Sequence, residues 1–295
     1  MRMYRRRVCA LAFALALVGV IALVLHEEEP QPTFHGKSLS YWLGAWDSGQ
    51  PQRPAEKDAE DAVKSIGTNG IPFLLRRMSA RDSAVANRVC FALENQHFIQ
   101  HRFHFQTTEY KVASAAHAFL VLGVAADSAL PEVLEILNSC KKGSAQELQI
   151  FSLFRSLGSR AHLAVPALCK RLSLEPPVAG HTKPSAFETF TEEQIRFNAA
   201  LALGAIAKQP ELAVPPLLNA LHDPSLDVRA VAATSLGAFG IEARSALPQL
   251  KSLLIEADEL LSNRSVVGGI ARRHLDLKEE LAEAIRRIET DSTLH

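Results

Sequence analysis

Through HDPSLDVRAVAATSLGAFG, residues 222–240, the apolar positions Val228, Ala232, Leu236 and Phe239 recur every three or four residues with polar positions interspersed. That period predicts one buried face of an amphipathic helix. Ala232 and Ala233 keep the face small enough for another helix to come close. Asp223 is the expected N-cap, with Pro224 at the first helical position. Just upstream, Leu217, Leu218 and Leu221 keep helical spacing behind Pro215. A proline lacks an amide hydrogen and suits a first helical turn, so Pro166, Pro215 and Pro248 are expected to start short helices. Thr191 to Gln194 reads as a T-x-x-Q capping box for a helix one unit earlier.

The pattern repeats. IRFNAALALGAIAKQPELAVPPL at 195–217 aligns with VRAVAATSLGAFGIEARSALPQL at 228–250, so that Arg196 and Arg229, Gly204 and Gly237, and Pro215 and Pro248 each lie 33 residues apart. Looser copies end at Leu168, Leu134 and Leu75. Alignment on Pro72, Pro131, Pro166, Pro215 and Pro248 gives spacings of 59, 35, 49 and 33, and the two long ones contain insertions. Each unit predicts two antiparallel helices with too little apolar surface for a core of its own. Stacking neighbours supplies the core, so the expected fold is all-α, an α-solenoid. The repeat domain is expected over 56–290, with insertions near 97–107 and 173–190.

The Pro-led helix, the inter-helix Asp223 followed by Val228–Arg229, and the AA-x-x-LG ending resemble the HEAT-repeat family, in particular the short variety called phycobilisome-lyase HEAT-like repeats. The period of 33–35 is shorter than the roughly 40–47 of most HEAT and armadillo units. GKSLSYWL at 36–43, SIGTNGIPFLL at 65–75 and ARDSAVANRVCFALENQHFI at 80–99 are similar to bacterial exported or membrane-anchored HEAT-repeat proteins. The resemblance implies the fold and a location. It carries no catalytic residue.

The first 26 residues follow a different pattern. Val8 to Leu25 is a run of 18 residues without a charge, roughly 27 Å long as a helix against a hydrocarbon core of about 30 Å. Arg2, Arg5, Arg6 and Arg7 precede it and favour the cytosolic side. The expectation is a single-pass anchor in the inner membrane with the repeats periplasmic or extracellular. The alternative is a cleaved signal and secretion. The run is longer than the ~7–15 apolar residues of a signal peptide, and its small-x-small triplets fall in its first half. Residues 27–55 then read as a linker, with a short helix over about 40–47 that Ser40 caps. Its Trp42 and Trp46 cover the apolar end of the stack, as a terminal unit requires.

Composition narrows the function. Beyond the anchor, 28 basic groups face 32 acidic ones, too few and too balanced for phosphate-backbone binding, so nucleic acid is not an expected partner. Cys90, Cys140 and Cys169 are an odd set without a CxxC, and Cys90 and Cys169 read as small buried hydrophobes. His97, His101 and His104 would share one helix face suited to zinc, but the period-two alternation of HFIQHRFHF predicts an extended connector with His104 on the opposite side. No nucleophile elbow, Walker loop, dinucleotide fingerprint or HExxH is present. Arg196 and Arg229 are expected to form a structural ladder to loop carboxylates. No cofactor and no small-molecule substrate is expected. The chain reads as a non-catalytic, membrane-tethered scaffold that binds a protein on a concave face, with 192–206 and 226–239 as contact helices. The lyase-like resemblance implies the alternative, an accessory subunit that positions a prosthetic group or substrate protein.

Overall fold

The computed structural model describes residues 31–46, 53–80, 108–173, 191–262 and 269–291. Within them the protein is all-α apart from one hairpin. Two short strands, β1 (Thr33–Phe34) and β2 (Lys37–Ser38), pair antiparallel with Thr33 opposite Ser38. His35 and Gly36 make the turn with φ of 48° and 70°, the left-handed pair a two-residue hairpin needs. The chain leaves β2 directly into α1 (Leu39–Leu43), and Ser38, still extended, accepts the Tyr41 amide. The cap is therefore Ser38 and not Ser40, whose own amide donates to the side chain of Gln31 at 2.9 Å.

The body alternates first and second helices. These are α2 (Glu56–Ile66) and α3 (Ile71–Met78), α4 (Thr108–Leu122) and α5 (Leu130–Ser139), then α6 (Ala145–Leu157) and α7 (Val165–Leu172). They continue with α8 (Glu192–Ile206) and α9 (Pro210–Ala220), and α10 (Leu226–Ala238) and α11 (Leu247–Ser262); α12 (Gly269–Asp291) ends the described chain. The helices α4, α6, α8, α10 and α12 pack one on the next as a row, and α7, α9 and α11 each also lie against the first helix that follows. The buried apolar residues from Leu39 to Ile288 form one connected core. Residues α1 and the 3₁₀ turn 44–46 cover the N-terminal end, where Leu39, Leu43 and Ala45 are buried and the Tyr110 hydroxyl donates to the Leu43 carbonyl at 2.9 Å. At the other end α12 buries Leu277, Leu281 and Ile288 and turns Glu283, Arg286 and Arg287 outward as a charged face.

Pro72, Pro131, Pro166 and Pro248 are each the second residue of a second helix, where the missing amide hydrogen leaves no bond unmade. Pro215 differs. It lies inside α9, which Pro210 leads, so it does not start the helix. Pro216 cannot donate to the Leu212 carbonyl four residues back, and the Cys169 thiol of the preceding unit takes that acceptor instead at 3.4 Å.

The turns within units also follow a rule. Gly123, Gly158 and Gly240 all have positive φ and each stands eight residues before its unit's proline. Gly158, with φ 57° and ψ −135°, occupies a region open to glycine alone. In the fourth unit the same position is Ala207, held left-handed at φ 43° and ψ 49°. Gly204 and Gly237 stand three residues earlier, inside their helices, and serve packing. A Cβ on Gly204 would lie 2.8 Å from the Ser235 Cα of α10, and one on Gly237 would lie 2.9 Å from the Ala284 Cα of α12.

Among the described residues no helix is long and apolar enough to cross a membrane. Val8–Leu25, which the sequence predicts to span one, lies outside the described residues, as do the 97–107 insertion and all but the first residue of the 173–190 insertion.

The strained alanine yields a direct expectation. A left-handed conformation costs an L-residue roughly 1–2 kcal/mol, and glycine's greater unfolded-state freedom returns only about 0.4–1 of that. Ala207→Gly should raise stability by about 0.5–1 kcal/mol, read as an upward shift of the thermal unfolding midpoint.

Candidate functional site

The two edges of the stack differ in chemistry. At the edge where one unit hands over to the next, second helices expose their last carbonyls, which have no partner within the helix. Side chains of the following units fill them. Gln146 Nε2 donates to the Met78 carbonyl, Arg171 Nη2 to the Leu137 carbonyl at 3.1 Å, and Gln249 Nε2 to the Leu218 carbonyl at 3.0 Å.

Buried charges sit at this edge in pairs. Glu147, in the first turn of α6, is fully buried. It accepts Arg171 Nε at 2.6 Å and the Gly143 amide at 2.8 Å. Arg196 donates to both carboxylate oxygens of Asp223, at 2.6 and 3.1 Å, with both side chains almost wholly enclosed. Asp223 also accepts the Ser225 amide at 2.9 Å, while Arg229 Nε donates to the Asp223 backbone carbonyl. The ladder from Arg196 and Arg229 therefore meets at one residue, through its carboxylate and its carbonyl. With its oxygens engaged, Asp223 does not cap α10. Ser225 is the N-cap, and Pro224 lies before the helix. Thr191 and Gln194 exchange both bonds of a capping box on α8, at 3.3 and 2.9 Å. Arg77, five residues past Pro72 as Arg171 is past Pro166, donates to Ser114 Oγ at 3.3 Å, and burial lowers its pKa.

These groups are paired and enclosed, with only Arg196 Nη1 among the Arg196–Asp223 contacts left without a hydrogen-bond partner, so they hold the fold. The accessible chemistry lies on the solvent side of the first-helix row. His117, Ser152, Leu201 and Thr234 each stand fourteen residues before their unit's proline, and Ser114, Gln149, Asn198 and Val231 each stand seventeen before it. Equivalent positions in successive units thus line the same surface. Two hollows lie along it. One, of about 270 Å³, lies between α4 and α6 beside the N-terminal cap, where Trp46 stacks on His117 with ring centroids 4.3 Å apart. Partial burial lowers the His117 pKa, against the smaller opposing pull of Glu60 and Glu56. The other, of about 690 Å³, runs across α8, α10 and α12. Neither hollow brings together a nucleophile, a base and an orienting group.

His97, His101 and His104 lie outside the described residues. Among the described residues no three His, Cys, Asp or Glu side chains are grouped to hold a metal. Cys140 and Cys169 are half-buried, and burial pushes both thiols up to about 11, so neither is an activated nucleophile at neutral pH. The row-face hollows were the feature periodicity alone did not delimit. The signal that locates them is the spacing back from each proline, which needs the turn length of every unit.

Removing one partner of an enclosed ion pair leaves the other uncompensated. Arg196→Met or Asp223→Ala alone should cost about 3–5 kcal/mol. Together they should cost clearly less than the sum of the two, measured by denaturant unfolding as a double-mutant cycle.

Residues 187–266 match the family model for HEAT repeats, a stretch that takes in α8 to α11 whole. No curated protein matches the chain. The matched segment holds the Arg196–Asp223 pair, the Gly204 contact and most of the larger hollow. Residues 187–266 therefore carry HEAT repeats.

Proposed function

We propose that the protein is an α-solenoid scaffold, tethered to the inner membrane by Val8–Leu25 with its repeats outside the cytosol, which binds a partner protein along the concave face of its first helices. HEAT repeats are in general non-catalytic modules of protein interaction, which supports the scaffold role. The observation that carries the reading is the register of the row face. Positions fourteen and seventeen residues before each proline come to the same surface in four successive units. Single-unit hollows serve small ligands; a face that repeats unit by unit suits an extended macromolecular partner. The polar tether rests on the four N-terminal arginines and the 18-residue apolar run.

Photo-crosslinkers placed at Ser152 and Leu201 of the full-length chain in native membranes should capture one stoichiometric partner, whereas placement at Glu132 or Glu211 on second helices should not. Capture from neither face under several growth conditions would count heavily against a scaffold. For the tether, a periplasm-active reporter fused after His295 should be active and alkaline carbonate should leave the chain in the membrane. A mature N-terminus near residues 22–36 would replace the anchor with a cleaved signal.

A further inference from the structure

The two hollows on the first-helix row differ in charge. The N-terminal one is aromatic and neutral, with Trp46, Tyr110 and His117 beside Gln149 and Ser152. The C-terminal one has an apolar floor of Phe197, Leu201 and Val231 beneath a rim of Glu193, Asp227 and Glu280. No Lys or Arg lines it. Two of the three rim carboxylates are fixed by hydroxyls rather than neutralised. Ser225 Oγ donates to Glu193 and Thr234 Oγ1 to Glu280, both at 2.6 Å. Asp227 has a cation nearby, but Arg273 stands 3.9 Å away with both side chains about half exposed or more. A pair of that separation and exposure is worth little in water. The rim therefore presents net negative charge around apolar surface, at a breadth of three helices.

We infer that this groove takes a basic amphipathic segment of the partner, its apolar side chains on Phe197, Leu201 and Val231 and its Lys or Arg side chains on Glu193, Asp227 and Glu280. The inference rests on the scaffold reading and adds the chemistry of the partner. Charge complementarity selects the occupant. An acidic segment would set like charges against the rim, and a purely apolar one would strip water from three carboxylates without bringing a cation to offset the loss. The hydroxyl bonds hold Glu193 and Glu280 in place before binding, which reduces the ordering cost of each charged contact.

The test uses the full-length protein in detergent and three fluorescent helix-forming peptides that share one leucine stripe and carry Lys, Gln or Glu on the polar face. The Lys peptide should bind more tightly than the Gln peptide, and the Glu peptide least. Glu193→Gln, Asp227→Asn and Glu280→Gln together, which keep shape and hydrogen bonding, should weaken the Lys peptide by roughly ten-fold or more. Neutralising the second-helix acids Glu132, Glu135 and Glu211 in the same way should leave it within about two-fold. Equal binding of the Lys and Glu peptides, or equal losses in the two triple variants, would overturn the proposal. If either occurs while a crosslinker at Leu201 still captures a partner, the scaffold reading stands and only its basic chemistry falls. If Leu201 captures nothing as well, both fall.

Discussion

The architecture depends on how closely consecutive first helices approach. At Gly204 and Gly237 the next helix comes so near that a single added carbon would meet its backbone, 2.8 Å from Ser235 Cα and 2.9 Å from Ala284 Cα. Helices at such a distance bury their small faces completely. Ala199, Ala200, Ala232 and Ala233 are all wholly enclosed although each contributes little area. Dispersion and exclusion of water across many short contacts hold these helices together, whereas nearer the N-terminus enclosed Phe119, Phe151 and Phe154 supply bulk. The same approach brings Ser235 Oγ to the Ala200 carbonyl at 2.8 Å, so a polar group buried by the contact is satisfied by it.

The remaining features fit around that spacing. Second helices end where the next unit begins, and Gln146, Arg171 and Gln249 reach across to their last carbonyls, adding a donor from a following unit to each. Enclosed ions gain little net stability, but their geometry ties the loop between α9 and α10 to α8 through Arg196 and Asp223 and so fixes the register between units. Fixed register is what brings Leu201, Thr234, Asn198 and Val231 to one hollow on the first-helix row. The groove is a consequence of the packing distance, and its charge is set by the residues that the packing does not use.

Much of this was legible in sequence because repetition exposes it. Prolines at the second position of α3, α5, α7 and α11, the capping box at Thr191 and the buried stripe from Val228 to Phe239 follow from local chemistry acting within one turn. Where sequence misled, a tertiary partner competed with a local one. Asp223 has good N-cap chemistry, yet Arg196, 27 residues earlier, claims its carboxylate and the cap passes to Ser225. Ser40 yields to Ser38 because the hairpin keeps Ser38 extended. The LG pairs look alike along the chain but hold two different glycines. Gly123 and Gly158 make the turn, whereas Gly204 and Gly237 make the contact, and only the distance to the proline separates them. Pro215 and Pro216 inside α9 show the same limit, since the thiol that meets the Leu212 carbonyl freed by Pro216 comes from the preceding unit. The rim of the groove was not legible at all, for Glu193, Asp227 and Glu280 come from three helices and share no spacing.

The close approach is tested most directly by amide hydrogen exchange on Gly204→Ala. The added carbon must push α8 and α10 apart, at a cost of about 1–3 kcal/mol. In a stack whose contacts run between neighbours, the loss stays near the damaged interface. Exchange should quicken through α10, α11 and α12 while α4 to α7 keep the protection they have in the unmodified chain. Equal acceleration from α2 to α12 would mean one cooperative core and contradict a stack built from neighbour contacts.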